Sequence, residues 1–294
     1  MPETQLLSGK AVSAAVYSEL NSRIAALKEK GLTPGLAVIL VGADPASQVY
    51  VRSKERRFAK MGLYSETFRF DDDLPESDLI EKIRELNDDH NFHGLLVQLP
   101  LSQQISEQKI IETINPEKDV DGFHPVNLGL MTAGVPRFIS CTPKGILRIL
   151  KHYDIETSGK HVVVCGRSNI VGRPISVLLS LKTDYGNAIV TVIHSRTPDL
   201  QKYTRQADIL IAALGQPEMI TGDFIKAGAC VIDVGINRVE DAAQEKGYRM
   251  VGDVQQSTVM GKASYLTPVP GGVGLMTIAM LVENTVEAAE LGLQ

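Results

Sequence analysis

The sequence predicts an α/β protein of two domains, each built on a mostly parallel sheet. Three observations lead there. The chain has 294 residues, enough for two cores of ordinary domain size. Runs of β-branched and apolar residues alternate with helix-spaced segments along most of its length, which favours parallel strands covered on both faces. At residues 162–174 the text Val-Val-Val-Cys-Gly-Arg-Ser-Asn-Ile-Val-Gly-Arg-Pro passes from a strand to a tight turn at Gly166. From Gly172 it continues as a helix-like apolar segment, the order of a nucleotide-binding βα unit.

In the first half, Val12, Val16, Leu20, Ile24 and Leu27 recur at helical spacing over residues 9–30, and Gly31 stops the helix. A buried-type strand is expected at 36–41. Asp44-Pro45 then starts a helix running to Met61, before Gly62. A strand at 64–70, a helix at 75–87 and a strand at 94–100 follow. Residues 115–136, rich in Gly, Pro and Asp, read as a connection with functional loops, and a helix at 142–153 leads into the second domain. That domain has strands expected at 161–165, 188–194, 208–214 and 229–234, an exposed charged excursion at 238–249, a short strand at 264–266 and a last helix at 275–289.

Composition narrows the function classes. A hydrophobic content of 44%, a charged fraction of 22% and a net charge of −5 describe a soluble globular protein and argue against nucleic acid or an anionic membrane as the main partner. Cys141, Cys165 and Cys230 form no Cys-x-x-Cys pair, as expected of packed thiols in a reducing compartment. The N-terminal Met-Pro-Glu-Thr-Gln lacks signal-peptide features and no apolar run reaches bilayer length, so a cytoplasmic protein is expected. His90 and His93 have no third ligand in view, and no metal site is expected.

The turn after the first strand of the second domain points helix N-terminal N–H groups at a phosphate, although Ser168 stands where a second glycine is usual and Gly172 falls late. Arg173-Pro174 replaces the Lys-Ser/Thr of a P-loop. An NAD site places Asp or Glu at the end of the next strand. Here that strand runs into Ser195-Arg196-Thr197, a hydroxyl and a bidentate guanidinium suited to a 2′-phosphate. With Arg167 as a second cation, NADP is favoured over NAD; the competing reading makes both arginines ordinary solvated charges.

In the first domain, Tyr50 and Lys54 lie one helical turn apart. In a pocket, desolvation would make the lysine a usable acid or base. Beside Arg52, Arg56, Arg57 and Lys60 it reads equally as one more surface charge. Gln98 ends a parallel strand, where side chains face the ligand crevice, and Pro100 after it is a candidate cis residue. Asp119 and Asp121 are either paired carboxylates or part of an Asx turn at Asp121-Gly122. Pro268-Val-Pro-Gly-Gly-Val-Gly274 gives a flat ligand close access to backbone, or forms a rigid turn.

Taken together the chain resembles the bifunctional methylenetetrahydrofolate dehydrogenase/cyclohydrolase family nearly end to end. The signatures are Asp44-Pro45-Ala46-Ser47 with Tyr50-Val51 and Lys54, Val97-Gln98-Leu99-Pro100-Leu101, Lys118-Asp119-Val120-Asp121-Gly122 and Cys141-Thr142-Pro143. They continue with Gly166-Arg167-Ser168, Val171-Gly172-Arg173-Pro174, His194-Ser195, Gly215-Gln216-Pro217, Asp233-Val234-Gly235-Ile236-Asn237 and Pro268-Val269-Pro270-Gly271-Gly272-Val273-Gly274. The resemblance implies oxidation of methylenetetrahydrofolate with NADP and hydrolysis of the methenyl product. Tyr50 would stack on the folate, Lys54 would be the cyclohydrolase acid/base, and Gln98 would orient it and help keep it neutral. Asp121 would bind the amino-pterin edge, with the backbone of Pro270, Gly271 and Gly272 lining the same cleft.

Gly166, Arg167, Ser168, Ser195 and Ile236 would hold NADP, beside Gly172 and Arg196 from the turn and strand reading. The resemblance further implies a homodimer and a Rossmann-like NADP-binding domain at 141–274, with a discontinuous catalytic domain at 1–140 plus 275–294 and the active-site cleft between the two. Leu275 stands where the family usually has Pro, and residues 182–187 are longer than usual. A monofunctional dehydrogenase of the same family, or a non-catalytic NADP-binding regulator, would lack the need for Lys54 with Gln98. A short-chain dehydrogenase, which also uses Tyr-x-x-x-Lys, places its nucleotide turn before that pair rather than after it.

Overall fold

A computed structural model of the chain describes residues 3–244 and 247–293. The first elements are β1 (Gln5–Leu6), α1 (Gly9–Glu29), β2 (Gly35–Val41), α2 (Pro45–Lys60), β3 (Tyr64–Phe70), α3 (Glu76–Asp88), β4 (Gly94–Val97), α4 (Glu107–Thr113), α5 (Pro125–Thr132) and α6 (Cys141–His152). There follow β5 (His161–Cys165), α7 (Gly172–Ser180), β6 (Ile189–Ile193), α8 (Leu200–Thr204), β7 (Ile209–Ala212), β8 (Cys230–Asp233), β9 (Asn237–Glu240), β10 (Tyr248–Val251), α9 (Gln256–Val259), β11 (Tyr265–Leu266) and α10 (Val273–Leu291). The chain divides into a catalytic unit, residues 15–141 with the part from Ile278 onward, and a nucleotide unit, residues 142–277 with the part up to Ala14.

The catalytic unit carries a three-stranded parallel sheet in the order β3-β2-β4. All seven residues of β2 and all four of β4 are buried, which is why both read as continuous apolar runs rather than alternating ones. Ile39, Leu79, Ile83 and Leu95 are fully buried in one core cluster of this unit. The strand expected at 94–100 stops at Val97, ahead of Pro100, which cannot donate to a ladder; the Leu99–Pro100 bond is cis.

The nucleotide unit carries a six-stranded, all-parallel sheet in the order β1-β11-β8-β7-β5-β6. Its edge strand β1 comes from the N-terminal segment, which the sequence reading placed in the other domain. Gln5 pairs with Tyr265 and Leu6 with Leu266, and Gly9 donates its N–H to Gly271 at 2.9 Å. A two-residue strand paired some 260 positions away leaves no local signal. The excursion at 238–249 is the antiparallel hairpin β9–β10, except that Glu245 and Lys246 lie outside the described residues, as do Met1, Pro2 and Gln294 of the expected domain ranges and N-terminal reading. Ahead of β6, residues 182–187 close a tight turn in which Gly186 and Asn187 donate to Thr183 and Leu181.

The segment 115–136, expected as an irregular connection, contains a helix. Pro125 occupies the first turn of α5 and His124 caps it, accepting from Val126 N–H at 3.1 Å. What orders this region is Asp119, 2% exposed. Its carboxylate accepts the N–H groups of Phe123 at 3.2 Å and His124 at 2.8 Å, and Asn127 Nδ2 at 2.8 Å. The sequence weighed an Asx turn at Asp121; the turn-forming carboxylate is Asp119, while Gly122 takes the positive φ of 74°.

Burial pushes the Asp119 carboxyl up to about 6, against the pull of its three donors. A folded value above the unfolded one adds stability that is complete below about pH 4. That stability is lost as pH rises through about 6. Asp119→Asn has no such titration, so the difference in unfolding free energy, parent minus variant, is expected to fall by on the order of 2–3 kcal/mol between about pH 4 and pH 7. Denaturant unfolding at stepped pH checks it; a difference independent of pH contradicts it.

Candidate active site

Asp44 caps α2, its side chain accepting from Ser47 N–H at 2.7 Å, and this contact holds its carboxyl below the usual range. The cap sets where the helix begins, and its buried face is then Ser47, Val51, Lys54 and Phe58, spaced by one turn each. Lys54 is therefore not part of the solvated charge of Arg52, Arg56 and Lys60, which are exposed. It is 5% exposed, donates from Nζ to Gln98 Oε1 at 3.1 Å and sits 5.3 Å from the centroid of the half-buried Tyr50 ring. Among the described residues no carboxylate pairs with it.

Gln98 follows β4 directly. Its N–H donates to Ile39 at 2.8 Å, so the backbone is still held by the sheet. Its Nε2 donates to the Leu99 carbonyl at 2.8 Å, which fixes the amide with its oxygen towards Lys54. The isolated parallel bridge between Leu95 and Asp119 carries the following chain towards this same end of the sheet. Asp121, half-buried, lies two residues on, with Cys141 Sγ 3.7 Å from Oδ1. Tyr50, Lys54 and Gln98 are thus brought together, and Asp121 is supplied by a separate loop.

In the nucleotide unit, Gly166 has φ +130° and donates its N–H to Ile193 at 2.8 Å. A Cβ there would run into the Ala213 carbonyl, and one at Gly172 into the Gly166 carbonyl. Both glycines are required by close approach, which explains the late second glycine of the motif. Ser168 Oγ accepts the N–H groups of Val171 at 3.2 Å and Gly172 at 3.3 Å, leaving its own hydrogen to donate outward. Arg167, Ser195 and Arg196 are exposed at the ends of the neighbouring strands β5 and β6. Neither guanidinium has a carboxylate partner among the described residues. These donors, without an acid at the end of β6, fit a 2′-phosphate.

Ile236 is 53% exposed, and a Cβ added at Gly274 would lie 2.9 Å from its Cδ1. The Val269–Pro270 bond is cis and Gly271 has φ +109°; Pro270 is exposed and Gly272 buried. Leu275 donates its N–H to Gly272 at 3.2 Å, a bond that the family's usual Pro could not make. The turn at 182–187 precedes β6, whereas Ser195 and Arg196 follow it, about 16 Å away along five strand residues.

Two carboxylates at this edge had no role read from the sequence, Asp233 appearing only within a signature and Asp253 not at all. Asp233 ends β8, and burial pushes its carboxyl up to about 7 although three backbone N–H groups favour its charge. Asp253 follows Gly252 after β10 and has no exposed surface. A Gly-Asp pair just past a strand is the only local trace of it. His93 is half-buried, accepting Gly35 N–H at Nδ1, and burial moves it below its ordinary range. All three cysteines are buried and outside any disulfide, and burial raises the thiols of Cys165 and Cys230, away from nucleophile chemistry. Among the described residues no group of three or more His, Cys, Asp or Glu side chains is placed to hold a metal ion, and no helix is long and apolar enough to cross a membrane.

Comparison with known proteins agrees with this geometry. The family model for the tetrahydrofolate dehydrogenase/cyclohydrolase catalytic domain matches residues 7–121, and that for the NAD(P)-binding domain matches residues 140–292. The bifunctional protein FolD of Chlorobium phaeobacteroides is 52% identical over 97% of each chain. The structure of the bifunctional FolD methylenetetrahydrofolate dehydrogenase/cyclohydrolase from Campylobacter jejuni superposes with a TM-score of 0.92 at 46% identity, covering 98% of this chain and 99% of that one. The Trypanosoma brucei FolD enzyme, solved with NADP and an inhibitor, superposes with a TM-score of 0.94 at 38% identity over the whole of both chains. With both domain models matched in order and relatives similar from end to end, the chain belongs to the tetrahydrofolate dehydrogenase/cyclohydrolase family.

Proposed function

We infer that the chain carries both activities of its family, oxidising 5,10-methylenetetrahydrofolate to the methenyl form with NADP and hydrolysing that product to 10-formyltetrahydrofolate. The observation that carries this reading is the buried Lys54 amine facing the Gln98 amide oxygen. A dehydrogenase alone has no use for it, and neither has an NADP-binding regulator.

When bound, NADP supplies the acceptor for the hydride leaving the folate methylene carbon. That carbon lies between two nitrogens whose lone pairs stabilise the cation formed, so the step asks for no strong base from the protein. Tyr50 stacks on the folate. The Asp121 carboxylate accepts hydrogen bonds from the amino-pterin edge, and the backbone of Pro270, Gly271 and Gly272 lines the substrate. Water then attacks the methenyl carbon, and a proton must pass from the new hydroxyl to the departing nitrogen. Lys54 moves that proton. Gln98 accepts one hydrogen from the amine but brings no charge, so a proton can leave or join Nζ without breaking an ion pair.

Arg167, Ser168, Ser195 and Arg196 hold the phosphates of NADP, with Gly166 and Gly172 permitting the tight turn that presents them and Ile236 flanking the cofactor. A homodimer in the cytoplasm completes the reading; three buried cysteines outside any disulfide suit a reducing compartment.

Lys54→Met is expected to lower methenyl hydrolysis at least about 10²-fold while oxidation of methylenetetrahydrofolate remains measurable. Hydrolysis at the parent rate in the folded variant rejects the role of Lys54. Arg196→Ala and Arg167→Ala are each expected to raise KM for NADP about tenfold, the value of a lost charge-assisted bond, and to leave KM for NAD nearly unchanged. Steady-state kinetics with both cofactors measures this, and an equal loss for NADP and NAD would remove the 2′-phosphate assignment.

A further inference from the structure

Asp253 occupies a position that neither the hydride step nor the hydrolysis explains. It is fully buried, and its carboxylate accepts four hydrogen bonds: the N–H groups of Leu214, of Gly215 at 2.9 Å and of Gln216 at 3.0 Å, and Asn237 Nδ2 at 3.0 Å. The three backbone donors belong to the loop that leaves β7. Asn237 opens β9 immediately after Ile236. One buried anion therefore ties together two loops that start at adjacent strands of the parallel sheet, since β7 pairs with β8.

Asp233 anchors the anchor. Its Oδ1 accepts the N–H of Asp253 at 2.9 Å and of Gly235 at 3.0 Å, and its Oδ2 accepts Val254 N–H at 3.0 Å. Ile236 is thus held on both sides, through Gly235 to Asp233 and through Asn237 to Asp253. The packing is close enough to dictate glycine at both flanks: a Cβ on Gly252 would run into the Asp233 carboxylate, and one on Gly235 into that of Asp253. The pair does not make a cation site, because its oxygens face N–H donors rather than empty space. An unpaired buried carboxylate is costly, and here the donors that compensate it are the cofactor-side loops themselves.

The carboxyl ends of strands in such sheets are where dinucleotides lie. We propose that Asp253 is a positioning residue for the nicotinamide dinucleotide, fixing the loop at Gly215 and Gln216 relative to Ile236 without touching the cofactor. The proposal rests on the NADP reading given above.

The test uses the full-length chain and two variants. Asp253→Asn offers one acceptor oxygen where two were used and turns an amide N–H towards backbone donors. Asn237→Ser removes one donor and leaves the carboxylate with three. NADP dissociation constants are measured by fluorescence titration, dehydrogenase KM and kcat by steady-state kinetics, and hydrolysis of added methenyltetrahydrofolate without nucleotide. The expected result is an NADP dissociation constant and KM raised about tenfold or more in Asp253→Asn and about threefold in Asn237→Ser, with nucleotide-free hydrolysis within about twofold of the parent. If Asp253→Asn fails to fold, Asn237→Ser decides. Unchanged NADP affinity in folded variants overturns the proposal, as does a parallel fall of both activities, which marks a purely structural role. A parent chain that binds no NADP overturns the cofactor reading and this proposal with it.

Discussion

Taking an amine out of water is costly, and the catalytic unit is arranged around doing so at Lys54. The cap at Asp44 fixes the first turn of α2, and Val51 and Phe58, both fully buried, fix its rotation against the sheet. Lys54 falls on that buried face by register alone. What it meets there is an amide whose own orientation is set by the next carbonyl, on a backbone still bonded to Ile39.

The nucleotide unit solves a different problem with the same architecture. A parallel sheet gathers the carboxyl ends of its strands at one edge, and everything proposed to hold the cofactor is there: the turn after β5, the exposed hydroxyl and guanidinium after β6, and the loops after β7 and β8. The turn that would meet a phosphate folds this tightly only without side chains at Gly166 and Gly172, where a Cβ would strike the Ala213 and Gly166 carbonyls. Specificity for a 2′-phosphate would require cations without carboxylate partners, and among the described residues Arg167 and Arg196 have none. Rigidity comes from beneath, where two carboxylates saturated by N–H donors pin the loops.

Much of this is legible in the sequence because the signals are local. The strand at 161–165, the helix capped at Asp44-Pro45 and the turn at Gly166 follow from residues adjacent in the chain, and the observed elements begin within a residue or two of expectation. What escapes is long-range or short. Strand β1 exists only because β11 stands beside it, so Gln5 and Leu6 carry no pattern of their own. Helix α5 is hidden by Pro125 and Gly129, which usually mark loops, and is organised by Asp119 from outside it. Lys54 could not be told from its charged neighbours until the buried face of α2 was known. Asp253 was invisible because its partners, Leu214 to Gln216 and Asn237, are scattered along the sequence. Membership of the family was readable from the order of the motifs, whereas the buried carboxylates behind them needed the fold.

Two activities meet in one chain. The most direct measurement is a time course of the purified protein with methylenetetrahydrofolate, in parallel with NADP and NAD, following reduced nicotinamide and methenyl absorbance together. Reduction that is faster with NADP, with little methenyl accumulating, is the predicted result. Reduction with methenyl folate persisting would contradict a working hydrolase at Lys54, and a preference for NAD would contradict the 2′-phosphate site at Arg167 and Arg196.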